Sequence, residues 1–226
     1  MSGLLASVNS LEEALIVLDS DVDIIDLKQP ALGALGALDT RLVSQIVSSI
    51  AAKKTLSATV GDLPMQADLL FKAVKAMADT GVDYIKIGFF PDGDWQAVID
   101  KLSLLTAQGL KLIAVLFADQ QPDFKIVARL AKAGFTGVML DTMDKSKGSL
   151  IHVMSLSDLQ QFVTLAKQYH LLCGLAGSLR EPDINILRPL KADYLGFRGA
   201  LCIRQQRVAA IDRGALQTII DKVKAC

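Results

Sequence analysis

The feature that most constrains the fold is an alternation that runs from one end of the chain to the other. Short runs of apolar and β-branched residues are each followed by a stretch with the apolar spacing of an amphipathic helix. Candidate strands begin at Leu4, Asp23, Leu56, Tyr84, Leu112, Gly137, Leu171 and Tyr194. This repetition is typical of a parallel sheet, because each crossover helix returns the chain to the edge where the next strand begins.

The number of these units favours a closed barrel over an open, doubly wound sheet. The chain has 226 residues, of which 51% are hydrophobic, and no linker rich in Pro, Gly or Ser divides it. Its length suits one α/β barrel. We therefore expect residues 1–226 to form a single (β/α)₈ TIM barrel, an α/β fold that serves as one catalytic domain.

Local signals place the starts of two helices. Ser10 and Glu13 have the spacing of a capping box before "LEEALIVL". Pro64 is expected to open the third helix, whose apolar residues at helical spacing are Leu69, Leu70, Val74 and Met77.

The charge balance argues against large polyanionic partners. Lys and Arg together number 24, and Asp and Glu also number 24, so we expect neither nucleic acid nor a membrane as a partner. The first residues lack a basic leader, and no apolar run approaches the length of a membrane span. We expect a soluble, cytoplasmic protein, and the sequence leaves open whether it forms a homo-oligomer.

The sparse cysteines and histidines argue against metal chemistry. Cys173, Cys202 and Cys226 lack metal-binding spacing, and the histidines are His152 and His170. We expect no metal, no cofactor and no histidine-based catalytic triad.

Acids and bases instead collect at the ends of three predicted strands, which is where barrel active sites lie. Asp26 and Lys28 share one face of the second strand, and Lys86 points into the barrel from the fourth. Asp141 ends the sixth strand, and Lys145 follows it on the loop. Each is also consistent with a salt bridge or a solvated loop charge. Together they favour carbonyl chemistry, in which a lysine of lowered pKa attacks an aldehyde or ketone as the free amine.

Two glycine-containing loops indicate a phosphate site. They follow the seventh and eighth strands, where barrels commonly bind phosphate on backbone N–H groups. The candidate contacts are Gly177, Ser178, Arg198 and Gly199. The segment "ALGALGAL" at residues 31–38 lacks the dinucleotide-binding pattern, and we interpret it as a small-residue loop over the site.

An ordered set of motifs resembles one known family. The segments are "DIIDLKQPALGALGA", "SATVGD", "DYIKIGFF", "GVMLDTMDK", "GLAGSL" and "DYLGFRGALC". They are similar to those of (5-formylfuran-3-yl)methyl phosphate synthase, also called 4-(hydroxymethyl)-2-furancarboxaldehyde-phosphate synthase, of methanofuran biosynthesis. The resemblance implies a carbon–oxygen lyase that condenses two molecules of glyceraldehyde 3-phosphate, a triose phosphate, into a phosphorylated furan aldehyde. Phosphate and water are released. The family also belongs to the one-carbon metabolism of methylotrophic bacteria.

The resemblance also implies residue roles. The Schiff-base lysine falls on Lys28 and its companion acid on Asp26, while the other catalytic lysines fall on Lys86 and Lys145 and a further acid on Asp141. On this hypothesis a ketose form is bound to Lys28, and the second aldehyde adds to the derived enamine. The salt bridge between Asp26 and Lys28 is the expected resting state. Two alternatives remain: a class I aldolase of a simpler sugar phosphate, and a barrel that binds a phosphate ligand without catalysis.

Overall fold

The strands form a closed parallel barrel in chain order, β1 to β8, which confirms the predicted TIM barrel. The computed structural model describes residues 2–225, so the ends of the predicted domain 1–226, including Cys226, lie outside the described residues. The strands are β1 Gly3–Val8, β2 Ile24–Leu27, β3 Thr55–Thr59, β4 Tyr84–Phe89, β5 Leu112–Phe117, β6 Gly137–Asp141, β7 Leu172–Leu175 and β8 Tyr194–Phe197.

Helices cover the outside of the barrel between successive strands. They are α1 Leu11–Leu18, α2 Thr40–Ile50, α3 Ala67–Ala78, α4 Trp95–Thr106, α5 Ile126–Lys132, α6 Leu150–Val153, α7 Leu156–Gln168, α8 Glu181–Leu187 and α9 Arg213–Lys224. Within residues 2–225, no helix combines the length and the apolar character needed to cross a membrane.

Strand alternation separates the core from the interior of the barrel. On β4, Ile85 and Ile87 join the large apolar cluster between barrel and helices, whereas Lys86 faces the interior, as predicted. The barrel closes where β1 pairs with β8, with Gly3 opposite Tyr194. The charged residues of several strands are therefore brought to one enclosed space.

The first helix begins as its sequence predicts, but its glutamate has another use. The Ser10 hydroxyl accepts the N–H of Glu13 at 3.2 Å, which confirms half of the capping box. The Glu13 carboxylate accepts the N–H of Asn9 at 2.9 Å instead of that of Ser10. Its other oxygen accepts the N–H of Ile211, and both oxygens accept from the guanidinium of Arg198, which follows β8.

The third helix begins later than predicted. Pro64 precedes the N-cap residue, Gln66, and the helix starts at Ala67. Met65 forms a β-bridge with Gly93, which keeps this stretch extended. Leu70, Val74 and Met77 are buried as expected, but Leu69 is 39% exposed.

The predicted loop at residues 31–38 covers part of the mouth of the barrel. Leu35 is fully buried in the interior cluster that also contains Phe117. Asp62 holds this loop by accepting the N–H groups of Ala34 and Leu35, each at 2.7 Å. The ring of Phe90 packs on Phe117 with centroids 4.6 Å apart. These side chains fill the side of the mouth near β3 to β5, so the open cavity lies on the opposite side.

Candidate active site

The structure brings the five predicted catalytic residues together at the C-terminal end of the barrel. A cavity of about 350 Å³ is lined by Lys28, Lys86, Asp141 and Lys145. Asp26 lies beneath it and is fully buried. This is the end at which barrel enzymes hold their active sites.

Asp26 is the centre of a buried polar cluster on the floor of the cavity. The Lys86 ammonium lies 2.9 Å from one carboxylate oxygen, and the Ser57 hydroxyl donates to the same oxygen at 2.6 Å. Ser7 donates to the other oxygen at 2.9 Å. The strand register explains this arrangement, because Ser7 and Ser57 are the residues paired with Asp26 on the two neighbouring strands.

The surroundings of Asp26 keep its carboxyl ionised. Burial alone raises its pKa, but the ammonium groups of Lys86 and Lys28 outweigh burial and hold the pKa below its ordinary value. The carboxylate can therefore accept a proton only when this ion pair is disturbed.

Asp141 connects two lysines at the level of the cavity. Its carboxylate lies 2.6 Å from the Lys145 ammonium and 3.8 Å from the Lys28 ammonium. Lys145 also donates to the backbone oxygen of Thr142 at 2.5 Å. Burial raises the pKa of Asp141, but the two ammonium groups and the Thr142 N–H lower it to about 2 overall. Asp141 is therefore ionised in the resting site, where it lies between two cations.

Lys28 is the least engaged of the three lysines. Its side chain is buried, and within residues 2–225 its ammonium has one ion-pair partner, the distant oxygen of Asp141. Burial lowers the pKa of Lys28 to about 8, although the charge of Asp141 opposes the change. The nearby ammonium groups of Lys145 and Lys86 contribute to this lowering. A lysine with this pKa is partly a free amine near neutral pH, as a nucleophile requires.

The predicted resting salt bridge between Asp26 and Lys28 is wrong. The oxygens of Asp26 are taken by Lys86 and two serine hydroxyls. Lys28 lies one residue beyond the end of β2, and its ammonium reaches across the barrel to Asp141 on β6. The two charges share a face of the strand, as expected, but different partners satisfy them.

Three of the four predicted phosphate contacts line the cavity with free backbone donors. They are Gly177, Ser178 and Gly199, whose N–H groups have no acceptor among the described residues. Gly177 has φ +112°, and a Cβ there would lie 2.8 Å from the Cγ2 atom of Thr142. Ser178 follows in the left-handed region with φ +49°. Such backbone strain collects at binding sites.

The guanidinium of Arg198 is not available to a phosphate, contrary to the sequence prediction. It pairs with the Glu13 carboxylate, with nitrogen–oxygen distances of 2.5 and 3.2 Å. It also donates to the carbonyl oxygens of Ser7, Arg207 and Ala209. The sequence could not separate this role from phosphate binding, because Glu13 is 185 positions away.

Several polar residues of the cavity wall were not predicted from the sequence. Arg180 and Arg207 line it from the loops after β7 and β8. His152 also lines it, and its Nδ1 lies 2.9 Å from the hydroxyl oxygen of Ser149. No motif indicates a role for Arg207. Arg180 directly follows the "GLAGSL" segment, and a positive charge beside this predicted phosphate loop could have identified it as a cavity residue.

A protein-family model matches nearly the whole chain. The family model described as 4-HFC-P synthase matches residues 4–220. The chain is 30% identical to (5-formylfuran-3-yl)methyl phosphate synthase of Methanococcus maripaludis, over 99% of this chain and 98% of that protein. It is 39% identical over 222 residues to a Methylorubrum extorquens protein provisionally given the same name, with coverage of 98% and 92%.

Solved structures support the fold alone. The 3-hexulose-6-phosphate synthase of Salmonella typhimurium superposes with a TM-score of 0.70 at 17% identity, over 98% of each chain. KGPDC from Streptococcus mutans superposes with a TM-score of 0.66 at 16% identity, over 99% of this chain and 98% of that one. Both are similar to this chain in their barrel architecture.

Proposed function

Because the chain belongs to the family of (5-formylfuran-3-yl)methyl phosphate synthases, also called 4-HFC-P synthases, we propose that it makes this furan from two molecules of glyceraldehyde 3-phosphate. The balanced reaction releases one inorganic phosphate and two water molecules for each furan formed. In this proposal the product is a precursor of methanofuran or an analogue of it.

The observation that carries the proposal is the environment of Lys28. A buried lysine with a pKa of about 8 faces a cavity that has backbone phosphate donors in its wall. Attack of the free amine on a carbonyl carbon, followed by loss of water, gives a Schiff base. Asp141 lies 3.8 Å from the amine and accepts or returns the protons of these steps.

The carbon skeleton of the product defines which atoms must join. In this furan the phosphorylated methyl carbon is attached to a ring carbon that has ring carbons on both sides. Two unbranched trioses give this skeleton when the central carbon of one bonds to a terminal carbon of the other. An enamine that attacks the second aldehyde would join terminal carbons and give an unbranched chain, so the expectation of such an enamine step is revised.

The Schiff base therefore acts as the electrophile in our proposal. One triose phosphate isomerises to the ketone, and its central carbon forms the iminium with Lys28, releasing the first water. The second triose is deprotonated at its central carbon and expels phosphate from C3. This leaves an enol, and loss of its hydroxyl proton gives an enolate whose terminal CH₂ carbon attacks the iminium carbon.

Ring formation accounts for the second water molecule released in the reaction. Elimination of the lysine amine restores free Lys28 and leaves a carbon–carbon double bond. The hydroxyl group of the first triose then adds to the ketone of the second, and loss of the second water gives the aromatic furan. Asp26 and Asp141 transfer protons in these steps, and Lys86 and Lys145 stabilise the negative charge that develops on the enolate oxygen.

The test is incubation of the purified protein with glyceraldehyde 3-phosphate labelled with ¹³C at C3. We expect furan and phosphate in equal amounts, with label in the phosphorylated methyl carbon and in the ring carbon between the two substituents. A class I aldolase releases no phosphate, and a binding protein gives no turnover. Label in the formyl carbon would contradict the bond order proposed above.

Two lysine variants make this test specific. Lys28→Met should abolish furan formation, because it removes the amine. Lys53→Met, at an exposed lysine, should leave it unchanged and serves as the matched control. Loss of furan formation in both variants would show that the effect of Lys28→Met is not specific.

A further inference from the structure

The wall of the cavity carries more positive charge than its acids compensate. Six cationic side chains line it: Lys28, Lys86, Lys145, Arg180, Arg198 and Arg207. Four carboxylates lie next to these cationic residues: Asp26, Asp141, Asp183 and Glu13. Two positive charges are left over, in a chain whose formal net charge is zero.

Two arginines are the cations of the wall that have no carboxylate partner. Lys86 is paired with Asp26, Lys28 and Lys145 share Asp141, and Arg198 is paired with Glu13. In the described part of the chain, the guanidinium groups of Arg180 and Arg207 form no ion pair with a carboxylate. Their charges remain available to a bound anion.

The two arginines lie at different places in the cavity wall. The Nη1 atom of Arg180 lies 3.7 Å from the position that a Cβ on Gly199 would occupy, beside the predicted phosphate loop. Arg207 starts near the same glycine, but its Nη2 reaches the carbonyl oxygens of Pro30 at 2.7 Å and Gly33 at 2.5 Å. Arg207 therefore places its charge on the side of Lys28, against the loop that follows it.

Arg207 is held in a defined position without being neutralised. Its two hydrogen-bond acceptors are uncharged carbonyl oxygens, and within residues 2–225 its Nε and Nη1 groups have no acceptor. Burial lowers the pKa of the Arg207 guanidinium, while the charges of Asp141 and Asp62 act against this change. A half-buried cation without a counterion is costly, and a bound phosphate would remove that cost.

We propose that Arg207 binds a second phosphate group, separate from the one held by Gly177, Ser178, Gly199 and Arg180. This inference rests on the proposed function, which brings two phosphorylated trioses into one cavity. Lys86 and Lys145 are less suited to this second phosphate, because their ammonium groups are paired with Asp26 and Asp141. Arginine suits this role through its fixed array of N–H donors.

The test is calorimetric titration of the full-length protein with sn-glycerol 3-phosphate. This probe carries the phosphate but no carbonyl, so it binds without forming a Schiff base. We expect two molecules per chain in the unaltered protein and one in Arg207→Gln. Arg207→Lys keeps a cation and should retain both sites, with the second weakened about ten- to hundredfold.

Two control variants separate charge from loop structure. Asp62→Asn loosens the loop that Arg207 also contacts, because Asp62 accepts the N–H groups of Ala34 and Leu35. Arg204→Gln removes an exposed charge three residues away on the same loop. Both should keep two sites.

Three results would overturn the inference: one site in the unaltered protein, two unchanged sites in Arg207→Gln, or loss of a site in Asp62→Asn. Failure of the proposed function is a separate result. A protein that binds two molecules of glycerol phosphate, loses one in Arg207→Gln and makes no furan supports the second phosphate site and contradicts the proposed reaction.

Discussion

The Lys28 ammonium is paired with Asp141 across the barrel, at 3.8 Å, and not with Asp26 on its own strand. Asp26 is committed to Lys86 at 2.9 Å. The acids and lysines therefore form two separate groups. Asp26 pairs with Lys86 at the floor of the cavity, and Asp141 is shared by Lys145 and Lys28 in its wall. The ion pair of Lys28 is the longer one, and burial lowers the pKa of Lys28 to about 8.

The reactivity of Lys28 should depend on pH with a midpoint near 8. Below this pH most molecules carry the ammonium, which cannot attack a carbonyl, so borohydride trapping of dihydroxyacetone phosphate should rise about tenfold per pH unit and level off above pH 8. Lys145→Met removes a neighbouring cation that lowers the pKa of Lys28, so the midpoint should move upward. A midpoint above 10 in the unaltered protein would contradict this account.

Removal of Asp26 should destabilise the whole protein. Asp26→Asn leaves the buried ammonium of Lys86 without its partner, and we expect the free energy of unfolding, measured in urea, to fall by about 3–5 kcal/mol. Ser7→Ala, which removes one hydroxyl donor, should cost about 1 kcal/mol. In the double variant Asp26→Asn/Lys86→Met the loss should be smaller than the sum of the single losses. Additive losses would show that the two side chains do not interact.

Arg198 should prove to be a structural residue. Arg198→Met leaves the buried carboxylate of Glu13 uncompensated, so we expect a loss of about 3–5 kcal/mol in unfolding free energy. Adding Glu13→Gln should recover part of this loss. Unchanged stability with weaker binding of glycerol phosphate would instead support Arg198 as a phosphate contact.

Gly177 should tolerate no side chain. Gly177→Ala forces a Cβ into contact with Thr142 at φ +112°, and we expect a loss of about 1–3 kcal/mol in stability together with weaker binding of glycerol phosphate. Ser178→Gly is the matched control, because glycine adopts φ +49° without strain. Equal binding by the unaltered protein and Gly177→Ala would argue against this loop as a phosphate site.

The fold was predictable because its signals are local. Each strand is a short apolar run, and each begins within one residue of its predicted start. The inward direction of Lys86 followed from simple alternation along β4. The start of the third helix was missed because a bridge between Met65 and Gly93, which are distant in sequence, keeps the chain extended after Pro64.

The pairing inside the site was less predictable, because it depends on distances across the barrel. The sequence places Asp26 and Lys28 on one face, but strand stagger decides which charge each one meets. Arg198 and Arg207 are both loop arginines after β8, and no local pattern distinguishes them. Their roles differ because Glu13, from the first helix, reaches one of them.

The central claim is that Lys28 forms the covalent bond to substrate, and mass spectrometry after borohydride reduction tests it most directly. Lys28 is the first trypsin site in the sequence, and the next is Arg41. With dihydroxyacetone phosphate present, we predict that cleavage after Lys28 is lost and that residues 1–41 appear as one peptide carrying the reduced triose. Attachment of the triose to Lys86 or Lys145, with an unmodified peptide ending at Lys28, would contradict the account.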